Sequence, residues 1–296
     1  MDLLDLVTFS TVVRCGGITR AASELHTVQS NITNRIKALE REVGTPLFER
    51  HSRGMTPTPA GRRLLPYADR MSALAREALS AARDTGEPSG PLLIGAMETT
   101  AAVRLPPLLA GFHRQFPAVQ LSLSTGPTAD LVTGVLEGQL DGAFVAGPID
   151  HPDLESQTAF KEELVLVTSE RWKSLAALRA GVPSSGPTAL VFRTGCSYRQ
   201  RLEEVLAHLG WPSAARFEFG TLDGILGCVA AGMGVSMLPR VVVERSEMNA
   251  SLCIHSVDAP SCHVETLFVR RRDRREGSAL QSFRICLKES AVKLAA

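Results

Sequence analysis

The chain lacks any uncharged stretch long enough to cross a bilayer. Its longest run without Asp, Glu, Lys or Arg is the 16 residues between Asp223 and Arg240, which contain four glycines and end at Pro239. A membrane helix needs ~20 apolar residues. The N-terminus has no basic region ahead of an apolar segment, since Met1-Asp2-Leu3-Leu4-Asp5 is acidic, so no secretory signal is expected. The six cysteines, at 15, 196, 228, 253, 262 and 286, form no CxxC pair. Reduced thiols in a cytoplasmic protein, away from membranes, are the expectation. Catalytic signatures are missing too: there is no Ser nucleophile elbow, no Walker-type phosphate loop and no HExxH pair. Gly232-Met233-Gly234 lacks the third glycine of a dinucleotide fingerprint and precedes a strand instead of opening a helix. Cys253, His255, Cys262 and His263 are metal ligands by type. Their CxH and CH spacings fit no standard zinc motif, and neighbouring strand residues point to opposite faces. No enzyme activity, cofactor or metal is expected.

What is present is a globular composition, 44% hydrophobic and 21% charged, which excludes disorder for most of the length. At roughly 150 residues per domain, 296 residues suggest two domains. The net charge of +1 is unevenly spread. Residues 1–85 carry 12 Lys and Arg against 9 Asp and Glu, and the remainder carries 20 against 22. Within residues 30–63 there are 7 basic and 3 acidic side chains. Such a segment is either a solvated helical face or a nucleic-acid footprint, and the pattern must decide.

Leu6, Phe9, Val12 and Val13 recur at helical spacing over residues 3–14, and Gly16-Gly17 ends that helix. Thr19 can cap a second helix running to about Leu25, with Ala21, Ala22 and Leu25 facing inward. After the break His26-Thr27-Val28, a third helix runs from Gln29 to about Val43, with Ile32, Ile36 and Leu39 as its buried stripe. Its other side carries Gln29, Ser30, Thr33, Asn34, Arg35 and Lys37, donors and acceptors suited to base edges and phosphates. Two helices with a tight break and a polar second helix make a helix-turn-helix. Residues 44–56 read as a hairpin with Arg50, His51 and Arg53 at its tip, a wing able to reach phosphate or minor groove. Thr58 and Pro59 then start another helix, as N-cap and first helical residue.

Gly17-Ile18-Thr19-Arg20-Ala21-Ala22-Ser23-Glu24-Leu25-His26, Gln29, Leu39-Glu40-Arg41-Glu42-Val43-Gly44, Pro46-Leu47-Phe48-Glu49-Arg50 and Thr58-Pro59-Ala60-Gly61 together resemble the DNA-binding end of LysR-type transcriptional regulators. The match spans about sixty residues in one register. It departs at Val28 and Ser30, where the family usually has Ser before the Gln and Pro after it. Val28 cannot cap the third helix, which leaves Thr27 or Ser30 to do so.

From Pro59 to about Thr85, Leu64, Ala68, Met71, Ala75, Ala78 and Ala82 recur at heptad spacing, broadened by Leu65, Leu74 and Leu79. This helix either packs on its own domain or, as the resemblance implies, is a dimerising linker. Residues 85–91, Thr-Gly-Glu-Pro-Ser-Gly-Pro, are a hinge. Beyond them, strands at 92–96, 119–124 and 142–146 alternate with helices, which implies a parallel α/β domain. Val165-Leu166-Val167 opens a second such unit with pieces at 190–192, 198–209, 222–231 and 235–238, and Leu267-Phe268-Val269 returns the chain to the first. Crossovers near 163 and 266 resemble the two-lobed LysR effector domain, itself similar to periplasmic binding proteins.

The expected class is therefore α+β and multidomain: a winged helix-turn-helix at 1–58, a linker helix and hinge at 59–90, and an effector domain at 91–296. Its first lobe takes about 91–163 and 267–296, its second about 164–266. Ligands of open α/β sheets sit beyond C-terminal strand ends, at helix N-termini. That rule selects Glu98, Thr99 and Thr100, where Thr99 or Thr100 can cap the next helix; Thr125 and Gly126; Cys196, Ser197 and Arg199; and Thr221. Each hydroxyl also serves as a plain helix cap. Arg199 can pair with a ligand carboxylate or with Glu203 one turn on. A helix N-terminus and Arg199 would lower the Cys196 thiol pKa, so a redox switch with Cys228 is an alternative to a small buried side chain. The resemblance implies promoter-DNA binding as a homodimer or homotetramer under control of a small effector, here anionic or zwitterionic. DNA contacts are expected from Gln29, Ser30, Thr33, Asn34, Arg35, Lys37, Arg50 and Arg53. A thiol-based redox regulator on the same scaffold is the alternative, and an α/β enzyme with a fused regulatory head is disfavoured by the missing catalytic motifs.

Overall fold

A computed structural model describes residues 1–51, 54–257, 259 and 262–295. The chain forms two compact units, residues 1–84 with 137–139, and residues 85–136 with 140–296.

In the first unit, α1 (Leu3–Cys15), α2 (Ile18–Glu24) and α3 (Gln29–Val43) surround a core of Leu6, Phe9, Ala21, Ile32, Ile36 and Leu39. Burying each Leu or Ile contributes about 1.5–3 kcal/mol. Asp2 caps α1, its carboxylate accepting from Leu4 N at 2.5 Å, and Gly16 closes it in the left-handed conformation at φ 68°. Two capping expectations fail. Thr19 lies inside α2, whose N-cap is Gly17. Neither Thr27 nor Ser30 caps α3: its N-cap is Val28, which makes no side-chain cap bond, and the Thr27 hydroxyl accepts from Asn31 Nδ2 at 3.0 Å.

The wing is β1 (Phe48–His51) paired antiparallel with β2 (Gly54–Pro57). Gly54 has φ 137°, and a Cβ there would lie 2.5 Å from the Gly16 carbonyl, so the hairpin seats on the end of α1 only because this residue has no side chain. The Glu40 carboxylate ties the base of the wing to α3 by accepting from Leu47 N at 2.8 Å and Phe48 N at 3.4 Å.

Helix α4 (Pro59–Arg83) is capped by Thr58, whose hydroxyl accepts from Gly61 N at 3.1 Å. Part of the expected seam faces inward. Ala68 is buried in the unit's own core with Leu64 and Leu65 packed beside it. The apolar side chains left outside are Tyr67, Met71, Leu74 and Leu79, at 64, 45, 65 and 56% exposure.

The second unit is built on a mixed sheet, not a parallel one. Strands β3 (Gly90–Ala96), β4 (Val119–Thr125) and β5 (Gly142–Ala146) run parallel in the order β4-β3-β5. Between them lie α5 (Glu98–Val103), α6 (Leu105–Gln115) and α7 (Thr128–Leu136). The expected short strand at 165–167 is the end of one 16-residue strand, β6 (Leu154–Ser169). Its first ten residues pair antiparallel with β11 (His263–Arg271), which also pairs with β5. Its last six pair with β9 (Ser236–Pro239) and β10 (Leu252–His255). One strand thus serves both lobes. The second lobe adds α8 (Leu175–Gly181), β7 (Ala189–Phe192), α9 (Ser197–His208), β8 (Arg216–Phe219), α10 (Leu222–Ala230) and α11 (Arg240–Glu244), with β7 and β8 parallel. Helix α12 (Ser278–Ala295) buries Leu280, Phe283 and Leu287 against the first lobe. One apolar cluster runs through both lobes, joining Met97, Val145 and Leu267 to Tyr198, Leu202 and Val235.

Candidate nucleic-acid interface and ligand cleft

The hydrophobic stripe of α3 faces the core, so its opposite side is turned outward by periodicity alone. Gln29, Ser30, Asn34 and Lys37 are exposed there. Thr33 is half-buried, and its hydroxyl donates back to the Gln29 carbonyl at 2.9 Å, leaving its lone pairs for a partner. Arg35 does not share the outward face: its Nη1 lies 2.9 Å from Asp5 Oδ1 and 3.8 Å from Asp2 on α1. It braces the two helices together. Arg53 lies outside the described residues, and so does the side chain of Arg50. With no capping side chain at Val28, the N-terminal turn of α3 keeps its N–H groups and positive dipole end available to an anion.

In the second unit the four loop-to-helix junctions separate into two kinds. Thr125 is exposed, and Gly126 N donates to the Ala96 carbonyl at 3.2 Å. Thr221 is exposed and caps α10, accepting from Gly224 N at 3.2 Å. Arg199 is held by Glu218 at 2.9 Å, by Thr194 at 3.0 Å and by Glu203 at 3.4 Å. Glu98 is half-buried at the start of α5.

Thr99 and Thr100 depart from the capping expectation: both are buried inside α5, whose N-cap is Met97. The Thr99 hydroxyl lies beside the phenol of Tyr198 on α9, and so does the hydroxyl of Thr266 on β11. All three oxygens are buried, and none has a hydrogen-bond partner of good geometry. A buried hydroxyl without a full hydrogen bond costs about 1–3 kcal/mol, so three together are an unusual polar spot beside an apolar cluster. Tyr198 lies within a junction picked out by sequence, but as a large aromatic it reads as core. Thr266 sits on a strand and gives no signal. The ladder between β6 and β11 shifts register between Thr266 and Leu267, a bulge of the kind found beside functional sites.

Around this cluster the charges are spoken for. Arg104 makes a two-pronged ion pair with buried Glu162, both bonds 2.8 Å, with its guanidinium 5.6 Å over the Phe160 ring. Arg201 spans the lobes, its Nη2 donating to the Gly147 carbonyl at 3.0 Å while Nε reaches the half-buried Ser197 hydroxyl at 3.4 Å. A Cβ at Gly195 would lie 3.5 Å from both Pro127 and Ala129, so the junctions before α7 and α9 face each other. The expected fall in the Cys196 pKa is reversed: burial pushes the thiol up and outweighs the Tyr198 and Arg199 backbone N–H groups and the Arg199 charge. Cys196 and Cys228 also pack on different apolar clusters. Among the described residues no group of three His, Cys, Asp or Glu side chains is placed to hold a metal, and no helix is long and apolar enough to cross a membrane.

Comparison with known proteins places both units. Residues 3–62 match the model of the "bacterial regulatory helix-turn-helix protein, lysR family", and residues 85–292 match the "LysR substrate binding domain". The HTH-type transcriptional regulator GltR of Bacillus subtilis is 43% identical over 96% of this chain and 95% of its own. The uncharacterized HTH-type regulator YusT of the same organism is 46% identical over 96% and 94%. The crystal structure of CbnR, a LysR family transcriptional regulator, superposes at a TM-score of 0.70 with 25% identity over 98% of this chain and 99% of that one. Full-length CbnR in complex with its target DNA gives 0.68 at the same identity.

Proposed function

The chain belongs to the LysR family of bacterial DNA-binding transcriptional regulators, and from that premise we propose that it reads promoter DNA with α3 and answers to a small polar metabolite held between the lobes of its second unit. The observation that carries the ligand reading is the buried trio Thr99, Tyr198 and Thr266, whose hydroxyls have only one another as neighbours to pair with and meet no full hydrogen-bond geometry. Strand β11 and α5 bring two of them from one lobe, and α9 brings the third from the other. A ligand touching all three changes the free energy of lobe closure, and it can act on DNA geometry only through that difference between states. The flanking arginines already have partners, so the ligand's charge is met by the α9 N-terminus, not by an unpaired cation. That favours an effector with one carboxylate, anionic or zwitterionic.

For DNA, Gln29 and Thr33 are the base-reading candidates, and Ser30, Asn34 and Lys37 line the face beside them. Promoter recognition by a dyad requires two heads. The apolar row Tyr67, Met71, Leu74 and Leu79 supports α4 as the helix that joins two copies, a homodimer or, by further pairing, a homotetramer. The protein works in the cytoplasm and performs no catalysis in this reading. The redox alternative is disfavoured because burial raises the Cys196 thiol.

A thermal-shift screen of small carboxylates, amines and amino-acid catabolites on the full chain tests the ligand reading through linkage. A stabilising compound should lose its effect on Thr99→Val and Tyr198→Phe. A compound that stabilises these variants as strongly as the parent binds elsewhere.

A further inference from the structure

The outward face of α3 continues past the residues singled out for DNA. Ser30, Asn34, Lys37 and Arg41 recur at intervals of 4, 3 and 4 and are all exposed. At 1.5 Å per residue, Arg41 stands about 16 Å along the axis from Ser30, whereas the major groove is ~12 Å wide. If the N-terminal turn of α3 lies among base edges, Arg41 is carried out of the groove and over the sugar-phosphate strand at its edge.

At that end the surface is concave. A depression of about 600 Å³ is lined by Lys37, Glu40 and Arg41 together with the turn Gly44, Thr45 and Pro46. Arg41 Nε donates to the Lys37 carbonyl at 3.3 Å, which lays the guanidinium along the face with its Nη groups remaining. Among the described residues no carboxylate pairs with Lys37 or Arg41. The nearby acids are engaged: Glu40 accepts the Leu47 and Phe48 N–H groups, and Glu42 pairs with the N-terminal amine. Cations in the last turn of a helix ordinarily offset its dipole. That role accounts for Arg41, but not for Lys37 one turn earlier, nor for both falling on the face that Ser30 and Asn34 begin.

We propose that Lys37, Arg41 and the 44–46 turn form a seat for one DNA backbone phosphate at the rim of the groove that α3 enters. This rests on the DNA-reading role of α3 and adds to it a contact that positions the helix and carries no sequence information. Seating a phosphate there adds affinity for any duplex and leaves the choice of bases to Gln29 and Thr33.

The test uses the full chain and a mixed-sequence duplex, with affinity measured across a salt series. Arg41→Gln keeps length and helix propensity and removes the charge, and Arg41→Lys restores it. Arg41→Gln and Lys37→Gln should each lower the steepness of log affinity against log salt, the two together by about 0.9, with Arg41→Lys close to the parent. Base preference, read from sequences selected out of a random duplex pool, should be unchanged. A neutral methylphosphonate at the seated position should abolish the difference between the parent and Arg41→Gln. An unchanged salt slope for Arg41→Gln overturns the seat, and so does a changed base preference, which would make Arg41 a base reader. If the parent binds no duplex at all, the DNA reading of α3 fails, and the seat falls with it.

Discussion

Replacing Tyr198 by Phe removes one oxygen and nothing else from the densest part of the second unit. The ring stays, so no cavity opens and its packing against the Met97 and Leu202 cluster is kept. In most buried tyrosines this change costs a hydrogen bond, about 0.5–1.5 kcal/mol. Here the sign should reverse. The phenol is buried, burial pushes its pKa up, and its only partners are the Thr99 and Thr266 hydroxyls, neither of which meets it at the geometry of a full bond. Removing a poorly paired buried hydroxyl recovers much of its desolvation cost, which is about 1–3 kcal/mol. In a unit of this size each kcal/mol moves the midpoint by about 2–4 °C. Differential scanning calorimetry of the ligand-free full chain should therefore show the second-unit transition of Tyr198→Phe rising by several degrees. Thr99→Val and Thr266→Val should rise by similar amounts, and the three should add less than independently because they share one site. The same variants should lose the stabilisation given by the effector. A fall of a few degrees in Tyr198→Phe would mean the phenol is already paired in the free protein, and the argument from orphaned hydroxyls would be refuted.

Other perturbations separate the remaining parts of the account. Glu162→Ala leaves the Arg104 guanidinium half-buried without its two-pronged partner; chemical denaturation should show a loss of about 3–5 kcal/mol, largely recovered when Arg104→Met is added. Glu40→Ala frees the Leu47 and Phe48 N–H groups, so DNA affinity should fall while sequence preference persists, measured by competition with selected and mixed duplexes. Leu74→Glu with Ala78→Glu places like charges on the exposed row of α4; sedimentation should show dissociation, and an intact assembly would put the interface elsewhere. Because burial holds the Cys196 thiol above the usual thiol range, its labelling should be slow at neutral pH and accelerate only in alkali, and peroxide should leave DNA affinity unchanged.

How much of this is legible without a structure depends on whether a segment's partners are local. The stripe Ile32, Ile36 and Leu39 and the run Gly142–Ala146 are buried as their periodicity requires, because one face or both faces of the element decide the pattern. Strand β6 is legible only at its end. Residues 154–163 carry Glu155, paired with Arg270 and Arg284, Glu162 with Arg104 and Glu163 with Arg240, all distant in sequence, so the segment reads as polar loop. Caps fail for a related reason. Thr19, Ser30 and Thr99 have the right chemistry, but Gly17, Val28 and Met97 open the helices because tertiary packing sets the entry of the chain. The ligand cluster mixes both cases: the Thr99 and Cys196 junctions follow from the rule for open sheets, whereas Thr266 enters from a strand more than 60 residues after Tyr198. Arg35 has the composition of a DNA contact and the geometry of a strut, a distinction made only by Asp5 across the helix pair.

The central claim, that α3 reads sequence and does not merely bind charge, is tested most directly by selecting duplexes from a random pool with the full chain and with Gln29→Ala, at one fixed salt concentration. The parent should enrich a dyad-symmetric sequence, and Gln29→Ala should lose preference at one base pair in each half-site, by ~1–3 kcal/mol, while retaining the rest. No enrichment by the parent, or a Gln29→Ala profile that matches the parent at every position, would contradict it.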